Sequence, residues 1–236
     1  MSRLLLLLAA IALLSPQATQ VEITSEPHHH LVFENQDVRV FNVQVDPNTE
    51  TQMHWHRHDY FAVTLAPAEI ANTVLDKPAV TTKLTEGDVR FASASFAHSV
   101  RDVGPDPFRN VTVEILKDAT LRTATSPWDT AKNEDRGLET FPGGTKQILF
   151  VKDAIRVSEI ELQPGAVIAK HHHNGPHLVI ATTDVDLRSD IEGQSVPTLV
   201  HLRPGESKWV LGNYSHTVTN TGKQAKFVTL EFPDSH

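Results

Sequence analysis

The sequence predicts an all-β protein built from two copies of one barrel or sandwich unit. Three observations carry that reading. The chain repeats itself: Val38-Arg39-Val40 leads to Asp46-Pro47 and then to His54-Trp55-His56. Ile155-Arg156-Val157 leads to Gln163-Pro164 and then to His171-His172-His173, each pair lying 117 positions apart. Gly87 and His98 recur as Gly205 and His216 at an offset of 118. Register held over so long a stretch, through one insertion, marks two copies of a structural unit. Next, short segments rich in β-branched and aromatic residues alternate with turn signals such as Glu86-Gly87, Gln163-Pro164-Gly165 and Arg203-Pro204-Gly205. Finally, runs with a 3.6-residue apolar period are scarce, which leaves many short strands and a sandwich or barrel.

Taken in order, residues 1–20 read as a secretory leader. Met1-Ser2-Arg3 precedes an apolar run of 11 residues, Leu4 to Leu14. That run is short of the roughly 20 residues a membrane span needs. The expected localisation is therefore export, periplasmic or extracellular, with no membrane span in the mature chain. The first unit, 21–117, offers strands at Val38–Val45, Tyr60–Leu65, Asp88–Ala92 and Asn110–Leu116. Residues 118–146 are polar, with the run Lys132-Asn133-Glu134-Asp135-Arg136, and read as a connector holding one short helix around 128–136. The competing reading makes this stretch part of a barrel's outer wall. The second unit, 147–236, offers strands at Ile155–Leu162, His177–Ala181, Thr198–Leu202 and Phe227–Phe232.

Composition narrows the chemistry. Hydrophobic residues make up 39% of the 236, enough for packed cores, and aromatics only 6%, so those cores are Val/Leu/Ile-rich. The formal charge of -8, without a basic stripe, argues against a nucleic-acid partner. There is no cysteine, hence no disulfide, no thiolate chemistry and no sulfur ligand. A monomer or a homodimer are both compatible with tandem barrels.

Histidine and carboxylate are left to bind metal. Alternate residues of a strand point to one face, so His54 and His56 can both point into a barrel, as can His171 and His173. His98 and His216 follow roughly 42 residues later on a returning strand. Three imidazoles can then meet on one ion, and imidazole suits Fe, Zn, Cu and Ni, with Mn weaker. His56 with His58 is an alternative pair in the first copy, although His58 aligns with Gly175. His172 aligns with Trp55 and faces away from the site. His201 reads as an ordinary strand residue. His28-His29-His30 reads as a solvated segment, a metal scavenger or a lid over the first site. Arg39 and Arg156 match, as do Glu114 and Glu231. These pairs read as a recurring salt bridge, or as anchors for a substrate carboxylate.

These motifs resemble the cupin superfamily, and the whole chain resembles a bicupin, two jelly-roll barrels in tandem. The family's first motif is Gly-x5-His-x-His-x3-4-Glu-x6-Gly, and its second is Gly-x5-Pro-x-Gly-x2-His-x3-Asn. The second copy gives Pro164-Gly165-x5-His171-x-His173-x3-His177, then Gly205-x6-Gly212-x3-His216-x3-Asn220. The first gives Pro47-x6-His54-x-His56-x3-Tyr60, then Gly87-x10-His98-x3-Asp102. The resemblance covers about 31–116 and 148–232. It implies two metal sites, His54, His56 and His98 in one barrel and His171, His173 and His216 in the other. The family's carboxylate ligand is missing from both: His177 stands there in the second copy and Tyr60 in the first. The resemblance is to quercetinase- or dioxygenase-like bicupins, and the missing carboxylate points away from the His3Glu manganese oxalate decarboxylases and toward cupins with all-His iron sites, several of which are dioxygenases. His177 is expected as a fourth ligand, which ranks the second site as the tighter one. Tyr60 is expected to donate a hydrogen bond to substrate, a small anionic or enolic molecule. Iron is the expected ion, with Zn, Mn, Ni or Cu as alternatives. The competing functions are a non-redox lyase or isomerase, and a non-catalytic binder of metal or small ligand.

Overall fold

A computed structural model describes residues 19–128 and 137–234. Residues 1–18 of the expected leader and 129–136 of the expected helix lie outside the described residues. The first barrel runs β1 (Val21–Glu22), β2 (His29–Glu34), β3 (Val38–Val45), β4 (His54–His56), β5 (Tyr60–Thr64), β6 (Ala68–Val74), β7 (Val80–Leu84), β8 (Val89–Ala92), β9 (Phe96–Asp102) and β10 (Phe108–Ile115). The second runs β11 (Gly137–Phe141), β12 (Gly144–Lys152), β13 (Ile155–Leu162), β14 (Val167–His173), β15 (His177–Ala181), β16 (Val185–Ile191), β17 (Thr198–Leu202), β18 (Ser207–Val210), β19 (Tyr214–Asn220) and β20 (Ala225–Glu231).

The all-β reading holds. Among the described residues, helix is confined to α1 (Asp118–Thr123) and one 3-10 turn, Ile23–Ser25. No described helix is long and apolar enough to cross a membrane. Each barrel is two sheets face to face. In the first, β2-β3-β10-β5-β8 opposes β1-β4-β9-β6-β7; in the second, β11-β12-β13-β20-β15-β18 opposes β14-β19-β16-β17. The register repeats along with the order. Arg39 pairs with Glu114 as Arg156 pairs with Glu231, and His54 pairs with His98 as His171 pairs with His216.

Alternation explains how two barrels become one body. On β3, Val38 and Val40 point one way, and Phe41, Val43 and Val45 the other. The first set joins Phe61, Val63, Val111 and Val113 in a cluster that also contains Ile155, Val157, Leu178, Ile180, Val228 and Leu230 of the second barrel. The barrels are thus cemented face to face by the outer sides of their equivalent sheets. Burying each such side chain is worth about 1.5–3 kcal/mol. The second set packs inside the first barrel with Leu84, Val100 and Phe108 and leaves a cavity between them. Between the barrels, α1 is tied down by Arg122, whose guanidinium donates to both oxygens of Asp59 at 2.8 and 2.7 Å. Strand β11 lies within 118–146 and pairs antiparallel with β12.

Candidate metal centres

The first site is assembled by β4 and β9. His54 and His56 point inward, and Trp55 between them points out, donating its indole N–H to Gln20 Oε1 at 2.7 Å. Antiparallel pairing brings His98 alongside His54. Two of the rings are held by hydrogen bonds from behind, and the third faces a carboxylate. His54 Nδ1 donates to the carbonyl of Gln52 at 2.8 Å, which leaves its Nε2 bare. His98 Nδ1 lies 2.7 Å from Asn72 Oδ1. His56 Nδ1 lies 3.7 Å from Glu114 Oε1, and Arg39 donates to the other oxygen of Glu114 at 3.2 Å. The three ligand nitrogens converge within 4.8 Å of one another. His56 and His98 meet through their Nε2 atoms at 3.1 Å. The three residues are 0%, 1% and 7% exposed.

The second site repeats this construction on β14 and β19. His171 Nδ1 donates to the carbonyl of Ala169 at 2.8 Å, and His216 Nδ1 lies 2.7 Å from Ser189 Oγ. His173 Nδ1 lies 3.4 Å from Glu231 Oε1, whose partner oxygen accepts from Arg156 Nε at 2.6 Å. The Nε2 atoms of His171, His173 and His216 form a triangle with edges of 3.0, 3.2 and 3.0 Å.

These donor sets fit a divalent cation. Three Nε2 atoms cannot all satisfy one another, since a neutral ring with an Nδ1 proton has only a lone pair at Nε2. In the first barrel, buried His54 Nε2 has no hydrogen-bond partner. Nitrogens bound at about 2.1 Å on one face of an ion stand roughly 3 Å apart, the spacing seen here. Backing acceptors fix the tautomers of His54, His98 and His171, the usual role of partners behind metal-bound histidines, whereas buried His56 Nδ1 has no hydrogen-bond partner. Burial, reinforced by neighbouring imidazoles, pushes His54 down to about 4 and holds His56 and His98 well below the ordinary value. The same causes push His216 down to about 3, and burial lowers His171. These five rings therefore stay neutral and available as ligands at neutral pH.

His177 and Tyr60 occupy equivalent places outside the converging groups. The His177 ring stacks on His173 at 4.1 Å and 19°. The Tyr60 ring stacks on His56 at 3.9 Å and 20°. Burial, then the Glu114 charge, holds the Tyr60 phenol far above its ordinary value, so it stays protonated. His58 turns toward Asp118, at 3.7 Å, and takes no part in the triad. His172 faces out and meets Ser215 Oγ at 3.0 Å. His201 is exposed beside Asp186, at 2.7 Å.

Two features were left open by the sequence. Within His28-His29-His30, His29 enters the first barrel: its ring lies 4.6 Å from that of His54, and its Nδ1 lies 2.6 Å from buried Glu26. Of the three readings of that segment, the solvated one is corrected for this residue, and a lid over the first site fits it. A signal was present, because His29 faces Val43 in the register by which Lys146 faces Ile160, one repeat on. The matched Arg–Glu pairs also do more than lock strands, since each carboxylate backs a triad histidine. The two differ: burial raises Glu114 against the pull of Arg39, whereas at Glu231 burial is overcome by His173, Lys146 and Arg156 and the group is held very low.

Beneath the first triad lies a cavity of about 310 Å³ lined in part by Thr64, Asn72, Thr82, Arg90, Asn110 and Thr112. At the matching places the second barrel has Ala181, Ser189, Val200, Lys208, Phe227 and Thr229. There Val200 and Phe227 belong to a packed cluster with Ile160, Leu162, Val179 and Leu187.

No family model matches the sequence, and no curated protein matches it. Solved structures do match. An oxalate decarboxylase of Lactobacillus farciminis, in a formate complex, superposes with a TM-score of 0.61 at 13% identity, over 91% of this chain and 86% of that one. A cupin 2 conserved barrel domain protein of Leptotrichia buccalis gives 0.51 at 14% identity, over 86% and 88%. A salicylate 1,2-dioxygenase mutant of Pseudoaminobacter salicylatoxidans, with gentisate bound, gives 0.56 at 11% identity, over 83% and 68%. The architecture is that of a bicupin: two cupin barrels in tandem, each carrying a three-histidine group able to hold a metal ion.

Proposed function

We propose that the chain is an exported, iron-dependent oxidoreductase of dioxygenase type, and that the first barrel is its catalytic half. The observation that carries this is the buried His54-His56-His98 group opening on a largely apolar cavity with a few polar side chains, and with no carboxylate among the converging ligands. When bound there, a divalent ion such as iron supplies Lewis acidity and a redox couple. Three neutral imidazoles leave its charge whole, which favours an anionic or enolic substrate. The chain's own residues then divide the remaining work. Tyr60, protonated and stacked on His56, donates a hydrogen bond toward substrate. His29, backed by Glu26, offers a second polar contact at the cavity roof. Phe96 and Phe108 give the substrate an apolar wall. The dioxygenase with gentisate bound, a match in fold, supports this reading.

The second barrel, by this proposal, holds an ion without turning over substrate, because apolar side chains fill its interior. Elemental analysis of the native protein with oxygen uptake on hydroxy-acid and enol candidates is the test. Uptake abolished by His54→Ala and kept by His171→Ala is the expected result. A fully metallated protein inert to oxygen with every candidate would replace this reading by a lyase, isomerase or binding role. Residues 1–20 are proposed as the export leader, and the mass of the secreted protein checks that cut.

A further inference from the structure

We propose that Arg90 is the anion anchor of the first barrel, so that the ligand is a small hydroxy acid whose carboxylate lies on the far side of the molecule from the histidines. This rests on the reading of the first barrel as the small-molecule site. Strand β8 pairs with β5, setting Arg90 opposite Ala62 and Ala92 opposite Tyr60. Phe91, between them, faces the shared inter-barrel core: its ring lies 5.3 Å from Phe61, and the Lys152 ammonium lies 4.7 Å above it. Alternation then sends Arg90 and Ala92 into the barrel. Arg90 lines the cavity while keeping solvent exposure, so it stands at the mouth. Ala62, opposite, is too small to fill the space beside it.

The guanidinium has no other employment. Arg39, Arg57, Arg122 and Arg188 each hold a carboxylate. Arg90 makes no hydrogen bond or ion pair among the described residues. The carboxylate at the triad end of the barrel, Glu114, is already held by Arg39. A permanently charged planar fork at the mouth suits a bidentate carboxylate. Ala92 marks the level of Tyr60 and His56, and Arg90 lies one two-residue step away, roughly 7 Å along the strand. A ring with oxygen and carboxylate at opposite ends spans about that step, whereas adjacent substituents do not. The second barrel has a cation at the same place, Lys208, but faces it with Val179 and fills the interior with Phe227.

The test is calorimetric titration of the zinc-loaded full chain with 4-hydroxybenzoate and with its neutral amide, 4-hydroxybenzamide. The native protein is expected to bind the acid at least tenfold more tightly than the amide. Arg90→Gln should erase that preference, leaving amide affinity and zinc content unchanged, and Arg90→Lys should restore part of it. For 2-hydroxybenzoate the Arg90→Gln loss should be smaller than for the 4-isomer. The proposal is overturned if the native protein binds neither compound, if it does not prefer the acid, or if Arg90→Gln keeps the preference. Because zinc is redox-silent, turnover plays no part in the readout. Failure of the dioxygenase reading would show instead as absent oxygen uptake with the binding preference intact.

Discussion

The first and second barrels share strand order, register, a triangle of histidines and the Arg–Glu pairs behind it, yet they differ in burial and in what fills the interior below. The first triad is deeply buried, and the space below it carries threonine, asparagine and arginine. In the second, Asn110 becomes Phe227, Thr82 becomes Val200, Thr64 becomes Ala181, and Val43 and Val45 grow to Ile160 and Leu162. His29 above the first site becomes Lys146 near the second, where its charge acts on His171 and Glu231. Ligand geometry comes from two strands and a register. Room for a substrate comes from interior residues that change independently of them.

The largest expected effect separates the barrels outright. His54→Ala should remove one ion per chain and lower oxygen uptake by at least about a thousandfold, the scale of losing a metal that acts on charge in the transition state. His171→Ala should remove the other ion and change uptake less than about threefold. Equal losses in both variants would dissolve the proposed division of labour. If the first site alone empties during purification, the second is the tighter site, as the sequence ranks it, and the division of labour stands.

Acid should act next most strongly, on metal-free protein. His54 sits at about 4 in the folded chain, against about 6.5 unfolded. Its folded value is depressed, so below about 6.5 the unfolded chain takes up a proton that the native chain refuses. Stability is therefore full above that pH and falls as pH drops toward 4, by on the order of 3 kcal/mol for this fully buried ring. His177 and His216, both at about 3, extend the decline to lower pH. Melting temperatures of chelator-treated protein between pH 7 and 4.5 would show it, and a flat profile would contradict the burial argument.

Transplanting the second barrel's filling into the first is the sharper comparison. Asn110→Phe should cost about a hundredfold in substrate affinity while leaving two ions per chain, the penalty of plugging a pocket against its ligand. An unchanged KM would show that the cavity is not where substrate goes. The smallest effect is assigned to the residues behind the ligands. Glu114→Gln and Glu231→Gln should each weaken metal binding by about tenfold at their own site. Competition with a calibrated chelator measures both, and no change at either would reduce the Arg–Glu pairs to strand locks.

Much of this was legible in the residues. The repeat at 117 and the alternation of His54 and His56 already imply the two barrels and their triads, because register and pleat convert spacing into direction. Two things escaped and a third, the place of His29, was left open among several readings. The stacking of Tyr60 on His56 and of His177 on His173 depends on how a turn aims the next strand, which spacing does not encode. The entry of His29 into the first barrel depends on pairing between β2 and β3. The full and empty interiors depend on volumes summed over many strands, although the substitution of Asn110 by Phe227 was visible once the copies were aligned.

The shared core between the barrels has a last consequence, for divergence. Two identical barrels meeting through that face would form a symmetric pair, and any substitution would fall on both at once. Joining them in one polypeptide breaks the symmetry while keeping the interface. One half can then close its interior with phenylalanine and valine, gaining packing, while the other keeps a hollow that packing alone would never favour. The Val, Ile and Leu seam lets the filled half support the hollow one. A substitution that loosens the seam should therefore harm the first barrel's site before the second's, though it lies in neither.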